Sequence, residues 1–219
     1  MEKLYADKRI FVCLKPVGVA STDQPGGLPE LVRRELGEEK ACVRTVHRLD
    51  QVVGGVMVLA RSRVAAQLLS EQMRQGRFEK EYLAVAQGSV APTEGTLRDL
   101  LRRDKARRKT FVTDTPGQDV REAVLGYRVL AQRGGFSLLR IKLGTGRTHQ
   151  IRCQFAHRGW PLAGDEKYGA QPCDMEGIAL WSTSLSFDHP QTGERLRFAA
   201  LPPRQWPWTM FQEELTAED

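Results

Sequence analysis

The chain has 219 residues, 41% of them hydrophobic, with 33 lysines and arginines against 27 acids for a formal net charge of +6. That apolar content is enough for a buried core and excludes a disordered or fibrous chain; no stretch reads as a membrane span or a signal peptide. The basic excess points to an anionic partner, nucleic acid first, in a cytoplasmic setting.

In chain order, "RIFVCLKPVGVAST" predicts a strand running into a turn at Pro16 and Gly18. In "TVHRLDQVVGGVMVLA", residues 45–60, apolar strands at Ala41–Val46 and Val56–Ala60 flank His47, Arg48 and Asp50, polar groups costly to bury without partners. Val64, Leu68, Leu69 and Met73 then recur at helical spacing, with Ser62 as N-cap and Gly76 as stop. "KEYLAVAQG" predicts a strand, and residues 91–119, punctuated by Pro92, Gly95, Pro116 and Gly117, read as a long surface excursion. "EAVLGYRVLAQ" and "FSLLRIKLG" predict a hairpin closed near Gly134 and Gly135. A second helix starts near Thr148, places Ile151 and Phe155 on one face and stops at Gly159. "IALWSTSLSF" and "RLRFAAL" predict paired strands around "DHPQTGE", ahead of a closing segment rich in proline and tryptophan. Together these predict one α+β domain, residues 1–219, with a mixed, mostly antiparallel sheet and few helices.

Cys13, Cys42, Cys153 and Cys173 lie far apart, without C-x-x-C or metal-ligand spacing, and read as reduced core thiols. The stretch "RDLLRRDKARRK", residues 98–109, holds seven basic residues and two acids, a net of +5 and nearly the whole excess of the chain. A solvated face is the ordinary reading of a lone basic run, yet its concentration in one long loop favours phosphate contact, since each phosphate neutralised releases counterions. "LGTGRTHQIRCQFAHRG" gathers Arg147, His149, Gln150 and Arg152 around a helix start, where free backbone N–H groups favour anions. "GDEKYG" at 164–169 reads as a turn.

"KPVGV", "HRLDQVVGG", "KEYLAVAQG", "GRTHQIR", "GDEKYGA" and "LSFDHPQTGE", in this order, resemble the RluA family of RNA pseudouridine synthases. The likeness runs from Lys15 to Arg197, and Lys15 comes too early to leave room for the S4 RNA-binding domain many members carry, so a catalytic domain alone is expected. Where the family usually has threonine and serine after its aspartate, this chain has Val53 and Gly54, a departure expected to touch loop packing more than chemistry.

The resemblance implies conversion of uridine to pseudouridine in structured RNA, ribosomal or transfer. That reaction breaks an N-glycosidic bond, turns the uracil and rejoins it through carbon, so a nucleophile or ion-pair stabiliser is needed beside the sugar. By resemblance Asp50 is that carboxylate, Arg152 its arginine partner, and Tyr82 the active-site tyrosine that stacks on uracil and assists proton movement. Arg48 matches the residue that fills the gap left by the flipped uridine. Arg147, Arg102, Arg103, Arg107 and Arg108 are expected to hold RNA, and His47 and His149 to be hydrogen-bonded framework. No metal or organic cofactor is implied, and a monomer is expected. Two rivals stay open from the residues alone: a non-catalytic RNA-binding protein on the same fold, and a basic hydrolase using Asp50 as general base.

Overall fold

The computed structural model describes residues 1–216. In chain order its elements are β1 (Glu2–Ala6), β2 (Ile10–Lys15), α1 (Leu28–Leu36), β3 (Arg44–Thr45), β4 (Gly54–Ala60), α2 (Arg63–Arg74) and β5 (Glu79–Gln87). They continue with β6 (Glu94–Asp104), β7 (Lys109–Val112), β8 (Val120–Arg133), β9 (Phe136–Leu143), α3 (Gln150–His157), β10 (Leu180–Asp188), β11 (Arg195–Ala199) and α4 (Gln212–Thr216). Two compact units result, one of residues 1–81 with 181–202, the other of 82–180 with the described residues from 203 on. No helix among the described residues is long and apolar enough to cross a membrane.

In the first unit the strands lie in the order β1-β2-β4-β10, with β3 on β4 and β11 on β10. β4 is buried along its whole length, as its unbroken apolar run "GGVMVLA" requires, because it pairs antiparallel with β2 on one side and parallel with β10 on the other. Ile10, Val12, Val56 and Val58 of this sheet pack against Ala65 and Leu69 of α2 and against Phe78, Leu185 and Phe187. Ser62 caps α2 as the sequence predicts, its Oγ accepting the Ala65 N–H at 3.0 Å. The parallel pairing explains the glycine pair after the aspartate. A Cβ on Gly54 would lie 2.5 Å from the Trp181 ring; Gly55, at φ +122°, would meet the Ser182 carbonyl at 2.4 Å.

In the second unit the order is β5-β9-β8-β6-β7. β8 and β9 form the hairpin predicted around Gly134 and Gly135. Helix α3 lies on β6 and β7, where Cys153 and Ala156 pack with Leu101, Val112, Ala123 and Tyr168. It is also tied to β6 by charge: Arg158 donates to both Asp99 oxygens at 2.9 and 3.0 Å, and Gln154 donates to the same carboxylate at 2.6 Å.

Several sequence expectations change here. Residues 91–119 are not one irregular excursion. Glu94–Asp104 and Lys109–Val112 pair as a hairpin, Arg102 opposite Phe111 and Arg103 opposite Thr110. Buried Leu97 and Leu101 alternate with exposed Arg98 and Arg102, a strand pattern masked by so many arginines. The strand expected over Ala41–Val46 shrinks to β3, two residues long. Only two of the four cysteines are core thiols: Cys13 and Cys153 are buried, whereas Cys42 is exposed and Cys173 half-buried. Helix α1 and strand β1 were not anticipated.

Candidate active site

Asp50 sits half-buried in the first unit, on the loop between β3 and β4. The loop is held at several points. Ser21 Oγ both donates to the Leu49 carbonyl at 2.7 Å and accepts its N–H at 3.1 Å, and Thr45 Oγ1 donates to the Ser21 carbonyl at 2.7 Å. Gln51 bonds Gly18 reciprocally, its carbonyl accepting the Gly18 N–H and its amide donating to the Gly18 carbonyl, each at 2.8 Å. Past the aspartate, the Asp50 carbonyl accepts the Val53 N–H at 3.0 Å and closes the turn. These bonds fix the backbone on which the Asp50 side chain stands.

Two polar side chains of this region are buried, Lys15 completely. Lys15 Nζ, with no solvent exposure, donates to the carbonyls of Pro16 and Val19 at 2.7 Å and of Gln51 at 3.3 Å, which uses all three protons of an ammonium. Burial pulls its pKa from 10.5 down to about 8, and the negative charge of Asp50 acts in the opposite direction. His47 accepts the Val58 N–H on Nε2 at 3.2 Å, which leaves its proton on Nδ1. Burial, with the Lys80 charge adding to it, pushes this imidazole down to about 3, so it is a neutral strut joining loop to strand, the framework role expected of it. Arg48, two residues before Asp50, is exposed.

The second unit carries Tyr82 and Arg152. Tyr82, on β5, is buried. Arg152, on the first turn of α3, is 5% exposed and forms a two-pronged pair with Asp165, which is 1% exposed: Nε to Oδ2 at 2.7 Å and Nη2 to Oδ1 at 2.8 Å. Its guanidinium also lies 5.1 Å from the centre of the Tyr168 ring. Arg147, five residues earlier, is exposed and donates from Nε to the Glu122 carbonyl at 2.9 Å. His149 takes a left-handed backbone, φ +52°, at the start of α3 and bonds the Tyr168 hydroxyl through Nδ1 at 2.9 Å. Arg102, Arg103, Arg107 and Arg108 are all exposed, at the end of β6 and in the turn of the basic hairpin.

Thus Asp50 and Arg48 share one loop of the first unit, and Arg152, Arg147 and the hairpin arginines belong to the second. Two residues went unnoticed in the sequence. Lys15 stands in the quoted "KPVGV", but lysine is among the side chains least often buried. Asp165 stands in "GDEKYG", where a turn already accounts for an aspartate.

The first unit thus carries a carboxylate on a pinned loop beside a buried lysine, and the second a buried arginine-aspartate pair and a hairpin dense in exposed arginines. The RNA pseudouridylate synthase family model matches residues 9–157. The chain belongs to that family, and within it to the RluA type, isomerases acting on RNA. It is 34% identical over 209 residues to the RNA pseudouridine synthase YlyB of Bacillus subtilis, covering 91% of this chain and 68% of that one. It is 31% identical over 230 residues to ribosomal large subunit pseudouridine synthase D of Pseudomonas aeruginosa, covering 96% and 71%. The chain spans about two thirds of the length of such curated relatives. In fold it is similar to human RNA pseudouridylate synthase domain containing 1, with a TM-score of 0.79 at 20% identity over 97% of this chain and 94% of the other.

Proposed function

We propose that the chain converts uridine to pseudouridine in structured RNA with Asp50 as the catalytic carboxylate. The observation that carries this reading is the pinned loop, which holds Asp50 beside a buried lysine whose charge interacts with it. In the reaction the bond from uracil N1 to C1′ of the ribose breaks, the ring turns, and C5 bonds C1′ while the C5 proton leaves and N1 regains one. Asp50 acts at C1′, as nucleophile or as the anion that balances developing positive charge there. Tyr82 stacks on the uracil and serves proton movement. Arg152, fixed by Asp165, is the arginine of the site, and Arg48 fills the place of the extruded base. Arg147 and the hairpin arginines Arg102, Arg103, Arg107 and Arg108 hold phosphates. Three relatives bear the names of ribosomal large subunit enzymes, which favours ribosomal over transfer RNA as the substrate class.

The test is Asp50→Asn. The amide is nearly isosteric and the loop's bonds run mainly through backbone and through neighbouring side chains, so the variant is expected to fold and to bind RNA. Pseudouridine, scored by chromatography of digested RNA, is expected to fall below detection. Near-normal turnover would falsify the assignment; release of free uracil by the wild type would make the chain a hydrolase.

A further inference from the structure

The turn at 164–169 has more to do than reverse the chain. Asp165 and Tyr168 project from its two ends, and both reach Arg152, Asp165 through the two-pronged pair and Tyr168 through its ring face. Tyr168 makes a second set of contacts. Its hydroxyl accepts the Thr110 N–H at 2.8 Å and lies 3.2 Å from the Thr110 carbonyl, taking up both backbone groups of one residue of β7. Lys109, at the start of the same strand, places Nζ 4.9 Å from the centre of the Tyr168 ring. Thr110 Oγ1 donates to the Thr148 carbonyl at 2.9 Å, just ahead of α3, and His149 closes the circuit on the Tyr168 hydroxyl. Burial pushes the phenol up to about 12, so it stays protonated and keeps one donor and its acceptor capacity.

We propose that Tyr168 is a positioning residue that braces two parts of the RNA machinery at once: its hydroxyl fixes the base of the basic hairpin, and its ring fixes the guanidinium of Arg152. This rests on the reading of Arg152 and the hairpin given above. The two jobs reside in different atoms of one side chain and can be separated. The hairpin has an independent tie to α3 through Asp99 and Arg158, so losing the hydroxyl leaves it folded but differently aimed.

The experiment is steady-state isomerisation and RNA affinity against salt for wild type, Tyr168→Phe and Tyr168→Leu. Wild-type turnover is read first; if no pseudouridine forms, the proposed function fails and Tyr168 is not at issue. Tyr168→Phe keeps the ring and is expected to keep kcat within about twofold, while KM for RNA rises about fivefold or more for the lost buried hydrogen bonds. Its affinity should also depend less steeply on salt, because the hairpin arginines no longer engage phosphates together. Tyr168→Leu is expected to lower kcat by about tenfold besides, because the ring face that holds the Arg152 guanidinium is lost. Recovery of kcat, but not of KM, on going from leucine to phenylalanine is the signature of the divided role. The proposal is overturned if Tyr168→Phe matches wild type in KM and salt slope, or if it loses kcat as heavily as Tyr168→Leu. Should Tyr168→Leu fail to fold, the phenylalanine variant alone still decides the hydroxyl half.

Discussion

Lys15→Met keeps the reach of the side chain while removing its charge and its three donors. The Gln51 carbonyl would still accept from Gly18 at 2.8 Å, so the carbonyls of Pro16 and Val19 are the two left without a partner. Each costs about 1–3 kcal/mol. Against this stands the relief of a buried charge. Moving the lysine from its usual 10.5 to about 8 means that keeping it protonated at neutral pH costs about 3 kcal/mol. The two effects largely offset each other, and Lys15→Met is expected to change the unfolding free energy at neutral pH by no more than about 3 kcal/mol. The pH dependence has a definite sign. Between about 8 and 10.5 the unfolded lysine holds more protons than the folded one, so this residue makes wild-type stability rise with pH across that window. The methionine variant lacks that rise. Turnover should fall about tenfold or more, since Asp50 loses the buried cation that interacts with it. Denaturant titrations on both sides of the window, together with pseudouridine formation at neutral pH, measure all three quantities. A variant that retains full turnover and the wild-type rise of stability with pH would refute the argument that a buried, charged lysine supports the aspartate.

Arg152→Ala leaves Asp165 as an uncompensated buried charge and is expected to cost about 3–5 kcal/mol of stability as well as activity. Arg147→Ala, at an exposed site, should stay within about 0.5 kcal/mol of wild type and act on RNA affinity, which denaturant midpoints and binding titrations will distinguish. Replacing Arg102, Arg103, Arg107 and Arg108 with alanine is expected to weaken RNA binding and flatten its salt dependence by about three to four in logarithmic slope. An unchanged slope would make those arginines a solvated surface. Gly54→Ser restores the serine usual in the family but sets its Cβ against the Trp181 ring at 2.5 Å, and should cost about 1–3 kcal/mol. The double variant with Trp181→Leu should recover part of that loss, a coupling that a thermodynamic cycle detects.

Elements whose signals are local were legible in the sequence. Ser62 before an amphipathic run gave α2 its start, and Gly134 with Gly135 between apolar runs gave the β8–β9 hairpin. Where side-chain chemistry argued against the backbone's role, the reading failed. Arginines on alternate positions of β6 made a strand look like a loop, and α1 buries only Leu28, Pro29 and Val32 along its length, too thin an apolar stripe to stand out. In the site, resemblance could nominate Asp50, Tyr82 and Arg152. It could not supply their neighbours. That a lysine would lie fully enclosed beside the aspartate loop, or that a turn aspartate would grip Arg152 from 13 residues away, depends on contacts made only once the chain is folded.

The Tyr168 hydroxyl has one more consequence, for what the chain does not do. β7 stands last in the strand order of the second unit, and a last strand offers unpaired backbone groups to any other chain that can lie alongside it. At Thr110, midway along this short strand, both groups are already taken by a phenol that costs no second strand to supply. An intruding strand would have to expel the tyrosine and forfeit its bonds before forming any of its own. A single oxygen atom thus occupies the middle of this edge, where a second strand would otherwise begin to pair, while the arginines beside it stay open to solvent.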